Sequence, residues 1–117
     1  MKYMLLVYLD ESWNKRSLGE RQQVYWEQMQ LAEQLTASGQ YLGGSPLHPT
    51  SSATTVRVRD GNRLLTDGPF AETREQLGGY MLIDVEDLDH AIDFAARGPL
   101  ARVGTVEVRP VREGPPT

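Results

Sequence analysis

Apolar residues open the chain in two alternating phases: Met4, Leu6 and Tyr8 on one side, Leu5, Val7 and Leu9 on the other. This pattern predicts a strand over Lys2–Leu9 that is covered on both faces. From Ser17 to Ser38 the period becomes helical. Ser17 and Glu20 form an S-x-x-E capping signal, and Leu18, Tyr25, Met29, Ala32 and Leu35 fall along one stripe. Gly39 supplies the stop. A short strand over Gln40–Gly44 follows, then a loop around "SPLHPT". In "ATTVRVRDGNRLLTDG", Val56 and Val58 alternate with Arg57 and Arg59 ahead of an Asp60-Gly61 turn, and Leu64-Leu65 begins the return of a hairpin. Tyr80–Val85 reads as another strand. Asp87 caps a second helix carrying Leu88, Ala91, Ile92 and Ala95, which Gly98-Pro99 ends. Thr105–Val111 alternates as a last strand.

The order β-α-β-hairpin-β-α-β predicts an α+β fold, a ferredoxin-like sandwich with an extra hairpin and both helices on one sheet face. The other face is then open, and a doubly apolar first strand makes that costly. A second subunit packed sheet to sheet relieves it, so a homodimer is expected.

At 117 residues the chain fits one domain, here residues 1–111 with a disordered tail over 112–117. Hydrophobic residues at 39% and charged residues at 24% fit a folded core. The net charge of −4 argues against a nucleic-acid partner. There is no cysteine, which excludes disulfides, thiolate catalysis and cysteine-ligated zinc. The apolar start is too short to span a bilayer and ends abruptly at Asp10-Glu11, without a cleavage signal. A cytoplasmic protein with no membrane association is the expectation.

The segment "DGPFAETREQLGGYMLIDVEDLDHAIDFAAR" at 67–97, with "MKYMLLVY", "ATTVRVRDG" and "VEVRPV" around it, resembles the DGPF subgroup of the YCII-related family. That resemblance implies a ferredoxin-like fold dimerising into an α/β-barrel-like assembly. It also implies a possible regulatory setting, because such proteins are often encoded near extracytoplasmic-function sigma factors. Relatives in the broader family are thought to use a His–Asp pair, with the His on the first helix and the Asp near its end. Here the first helix has no histidine and ends Thr36-Ala37-Ser38, so that pair has no counterpart.

Candidate chemistry therefore rests on other residues. Asp67, beside a Gly-Pro turn, is a candidate general base or a turn-shaping carboxylate that hydrogen-bonds the amides of Phe70 or Ala71. The loop behind it, about ten residues, is longer than a tight hairpin needs. Phe70 is its expected apolar anchor, and Glu72, Arg74, Glu75 and Gln76 are candidate pocket polar groups; a solvated loop with Glu72 and Arg74 pairing with each other or with the dimer mate is the plainer alternative. Gly78-Gly79 is expected to permit a bulge or a close backbone approach. His48 is a candidate proton carrier, and Tyr80 a candidate cleft wall. His90 is expected to face water, and Arg57 and Arg59 to form a solvated or edge-protecting face. Trp13 and Trp26 are expected at an interface or in the core. Neither histidine has companions for a preformed metal site, and no cofactor is expected.

Three functions fit these residues. One is a dimeric module that binds or senses a small molecule, with a regulatory role. Another is a cofactor-free acid–base enzyme with Asp67 as base and His48 or Arg74 assisting. The third is an interaction module for a regulatory protein such as a sigma factor.

Overall fold

The structure, a computed structural model, describes residues 1–116. Strand β1 (Lys2–Asp10) lies inside a four-stranded antiparallel sheet of order β2-β5-β1-β6. Its neighbours are β5 (Glu75–Asp84) and β6 (Thr105–Pro110), and β2 (Tyr41–Pro46) forms the far edge beyond β5. A five-residue helix α1 (Glu11–Lys15) and the long helix α2 (Leu18–Ala37) separate β1 from β2. Helix α3 (Leu88–Arg97) and the short α4 (Leu100–Val103) connect β5 to β6. This is the expected α+β topology, with α1 and α4 as additions that their brevity hid from periodicity. The second strand runs on to Pro46, beyond the expected Gly44.

The core fills one face of the sheet. Tyr3, Leu5 and Val7 of β1 are buried with Met81 and Ile83 of β5, against Leu31 of α2 and Ala91 and Phe94 of α3. Strand pairing carries the opposite phase together: Met4 faces Leu82, and Leu6 faces Tyr80. This second face is left without a covering layer.

Two helix stripes differ from expectation. On α2 the buried line runs through Gln28, Leu31 and Ala32, whereas Leu18, Tyr25 and Met29 are exposed. The first half of α2 stands away from the sheet, for a reason found in the cleft described below. On α3, Leu88 and Ile92 are exposed and Phe94, which the expected stripe omitted, is the largest fully buried side chain.

Local signals hold at the turns. Ser17 Oγ accepts from the Glu20 amide at 3.1 Å, and Gly39 sits at φ +75°. Strands β3 (Thr54–Arg59) and β4 (Asn62–Asp67) form the hairpin, with both turn residues, Asp60 and Gly61, at positive φ as a two-residue turn of the primed type requires. Opposite β1, the register slips between Val7 and Tyr8, so Gly78 is the bulged residue. Strand β5 begins at Glu75, so the connection from β4 is residues 68–74, shorter than expected. Residues 112–116 form no helix or strand, and the tail expectation for Thr117 falls outside the described residues.

The hairpin gives the protomer an open outline. Its radius of gyration is 16.1 Å, against about 13 Å for a compact chain of this length. Among the described residues, no helix is long and apolar enough to cross a membrane.

Two tests follow from the packing. A Cβ on Gly104 would overlap the carbonyl oxygen of Tyr8, whereas one on Gly19 would meet nothing within 4 Å. Gly104→Ala is expected to destabilise by about 1–3 kcal/mol. Gly19→Ala, in the first turn of α2, is expected to stabilise by a few tenths to about 1 kcal/mol; urea unfolding measures both. At the start of α3, Asp87 Oδ1 accepts from the His90 amide at 3.0 Å and meets His90 Nδ1 at 2.6 Å. That hydrogen bond, more than the charge of Asp87, raises the His90 pKa above 6.5, and it lowers that of Asp87. The His90 contribution to stability is therefore complete below pH 6.5 and lost as pH rises through the higher folded value. The Asp87 contribution is lost only as pH falls below the usual carboxylate range. An NMR titration is expected to place His90 above 6.5, and Asp87→Asn, which keeps a capping side chain, to lower its midpoint.

Candidate functional site

A cleft of about 850 Å³ opens between the first half of α2 and the end of the sheet. Its floor explains it. Gly43 and Gly44 of β2 pair with Leu82 and Met81 of β5, and farther along Gly79 pairs with Pro46, next to the bulged Gly78; these four glycines line the cleft without a side chain to support α2. Gly44 admits nothing larger, because the Tyr80 carbonyl oxygen closes the space beside it. A Cβ on Gly44 would come within 2.6 Å of the Tyr41 hydroxyl, and one on Gly78 within 2.9 Å of Leu9. Gly43, at φ +147°, is in a conformation that L side chains rarely adopt.

The apolar wall is Leu9, Trp13, Val24, Met29 and Leu77. Polar groups enter from five segments. Asp10 ends β1 and caps α1, accepting from the Ser12 amide at 2.9 Å and from the Ser12 hydroxyl. That hydroxyl chiefly holds the Asp10 carboxyl below its ordinary range, and the guanidinium of Arg74 adds to the effect. From α2 comes Arg21, whose Nε donates to the Arg16 carbonyl at 3.2 Å. Tyr41 rises from β2, its hydroxyl pKa pushed up by burial and then by Tyr80 and Tyr25, so it stays a donor at neutral pH. His48, Glu72 and Arg74 come from the two loops at the rim.

Gln28 lies at the cleft's inner end, 9% exposed. Its Nε2 donates to Met81 Sδ at 3.4 Å, and its Oε1 is buried without a hydrogen-bond partner. The amide packs against Gly98, where an added Cβ would overlap it.

The structure thus gathers His48, Glu72 and Arg74 around one cleft, with Tyr80 at its border. Tyr80 pairs with Leu6 and Ser45, which places its side chain on the open sheet face. Asp67 and Phe70 stand apart from the lining. Asp67 is exposed at the end of β4, and the corner is held by other groups: the Gly68 amide donates to Ala53 O at 2.7 Å and Thr55 Oγ1 to Gly68 O at 2.8 Å. Phe70, expected as an anchor, is 78% exposed. Gln76 does the anchoring instead, its Nε2 donating to the carbonyls of Ala71 at 3.1 Å and Thr73 at 3.0 Å. Glu72 and Arg74 form no ion pair with each other among the described residues. Thr105 Oγ1 donates to both carboxylate oxygens of Glu75, at 3.1 and 2.9 Å. His90 faces water, Trp13 enters the cleft, and Trp26 is exposed, packed edge-on against Tyr25.

Sequence reasoning missed Asp10, Trp13, Arg21, Gln28 and Tyr41. Two signals pointed to them: the repeated Gly-Gly pairs, and an Asp directly ahead of an acidic first helical residue. Among the described residues, no group of three or more His, Cys, Asp or Glu stands together to hold a metal.

A family model described as the YCII-related domain matches residues 1–114. An uncharacterised protein of Rhizobium meliloti (strain 1021) is 38% identical over 117 residues, spanning 95% of this chain and 92% of its own length. Among solved structures, the fold resembles the 5-chloro-2-hydroxyhydroquinone dehydrochlorinase of Burkholderia phenoliruptrix AC1100, determined in complex with 2,5-dihydroxybenzoquinone. The TM-score is 0.58 at 16% identity, over 97% of this chain and 96% of that one, a likeness of fold.

The unpartnered carbonyl of Gln28 carries a desolvation cost that an apolar side chain of similar length removes. Gln28→Met is expected to raise unfolding stability by about 1 kcal/mol and the melting temperature by about 4 °C, as differential scanning calorimetry would show.

Proposed function

The chain belongs to the YCII-related domain family, and we propose that it binds a small, partly apolar organic molecule in the cleft beneath α2. The observation that carries this reading is the cleft itself. Its volume of about 850 Å³ lies within the roughly 300–1,000 Å³ range of small-molecule sites, and its lining is of the expected kind, an apolar wall with a few polar groups. Arg21, Arg74 and the Tyr41 hydroxyl are hydrogen-bond donors, which favours a ligand bearing carboxylate, phenolate or carbonyl oxygens. Glu72 and His48 complete the rim.

Binding without turnover makes the protein a sensing module in a regulatory circuit, in keeping with the DGPF motif at 67–70. Its assembly in this reading is a homodimer joined through the open sheet face, in the manner of an α/β barrel. A second reading draws support from the fold neighbour, whose name makes it a dehydrochlorinase: cofactor-free acid–base chemistry with His48 as the proton carrier at the rim of the cleft. Asp67 is less suited to the role of base, because it is exposed and apart from the lining.

A thermal-shift screen of purified protein against small aromatic acids, phenols and quinones tests the site. A ligand at 100 times its Kd adds about 2.7 kcal/mol, a rise of several degrees. The shift is expected in wild type and in Asp67→Asn, and is expected to be much reduced in Arg74→Ala and His48→Ala. A shift lost in Asp67→Asn and kept in Arg74→Ala would move the site to the DGPF corner. Chromatography of the incubated ligand separates the two readings: saturable binding with no product supports the sensor, and product formation that His48→Ala abolishes supports the enzyme.

A further inference from the structure

Helix α2 lines the cleft with Arg21, Val24, Tyr25 and Gln28. These positions follow the spacing of a single helical face, so a guanidinium and an amide stand at either end of one turn of bulkier side chains. At 1.5 Å per residue the two lie about 10 Å apart along the axis. Arg21 gives its Nε to the Arg16 carbonyl, and neither Arg21 nor Arg74 has an ion pair among the described residues. Asp10, Glu11 and Glu72 outnumber these two arginines in the lining. The mouth therefore offers directed donors without a net positive field, which suits a neutral carbonyl oxygen.

Gln28 sets the other end. Its amide has two N–H donors and one acceptor oxygen. One N–H meets the sulfur of Met81, a weak acceptor, while the oxygen is closed off against Gly98 and meets no donor. Gln28 and Met81 both line the cleft. The last torsion of a glutamine is broad and roughly two-fold. As the amide stands, Nε2 is turned toward Met81; a half turn puts Oε1 there instead. A ligand carbonyl or carboxylate serves only the first orientation. A hydroxyl serves both, accepting from Nε2 or donating to Oε1, and the donation relieves the orphaned oxygen.

We propose that Gln28 is the specificity residue of the cleft and reads a hydroxyl. The ligand is then a hydroxyaryl compound whose far end, about 10 Å away, carries a carbonyl oxygen for Arg21 and Arg74. This rests on the small-molecule reading of the cleft and adds to it the polar group at the ligand's buried end.

Isothermal titration calorimetry tests this with a matched pair of ketones, 4-(4-hydroxyphenyl)butan-2-one and 4-phenylbutan-2-one, which differ by one hydroxyl. Wild type is expected to bind the hydroxyphenyl ketone at least about 10-fold more tightly. Gln28→Met is expected to abolish that preference and to keep the affinity for the phenyl ketone, because a methionine fills nearly the same space without the amide. Equal affinities in wild type, or a preference that survives Gln28→Met, would overturn the role of Gln28 and leave the cleft standing as a binding site. Failure of both ketones to bind at millimolar concentration would overturn that role too. If the thermal-shift screen were also blank, the cleft reading would fall with it.

Discussion

Strand β1 presents apolar side chains in two directions, and the chain has helices enough to cover only one. Tyr3, Leu5 and Val7 are sealed under α2 and α3, while Met4 and Leu6 remain half-buried on the other side. Burial of apolar area is the main favourable contribution to folding, about 25 cal/mol for each Å². A second layer over Met4, Leu6 and Leu82 is therefore the largest stabilisation available to this fold that one protomer does not make for itself. The placement of the other elements can be read from this asymmetry. Helices occupy the first face, and the cleft lies beneath them; the second face is uncovered.

The cleft follows from what is missing on the covered face. Four glycines, at 43, 44, 78 and 79, line the cleft from β2 and β5, and a twenty-residue helix passes over them with little to rest on. Propensity cannot hold a helix there; packing of its second half does, through Leu31, Ala32 and Leu35. Gln76 then braces the 68–74 loop at the rim, so Glu72 and Arg74 are presented on a tied segment.

The features visible in the sequence were those decided locally. The positive φ at Gly39, the Asp60-Gly61 turn, the Ser17 and Asp87 caps and the bulge at Gly78 depend on a few neighbouring residues, and each is where the pattern put it. Features decided by distant residues were less visible. The buried line of α2 passes through Gln28, a residue that hydrophobic periodicity discards, because that end of the helix faces a cavity and the amide fits against Gly98. Phe70 looked like an anchor because it is large and apolar, yet apolarity does not guarantee a surface to pack against. Asp67 was prominent through its motif, and the bonds that make the corner turned out to be those of Gly68, Thr55 and Ala53.

Gln28 is also the residue whose burial costs stability at the inner end of the cleft. A sequence selected for stability alone has no reason to bury a carbonyl without a partner, since the desolvation cost is of order 1–3 kcal/mol in a protein whose whole margin is about 5–15 kcal/mol. The glycine floor points the same way, because each glycine adds backbone entropy to the unfolded chain and removes a contact from the folded one. Both costs fall on residues that line one cavity, Gln28 touching Met81, the residue that pairs with Gly44. The cost is concentrated where the cavity is, which is the pattern expected if the proposed ligand site, and not the fold, sets the local residue choice.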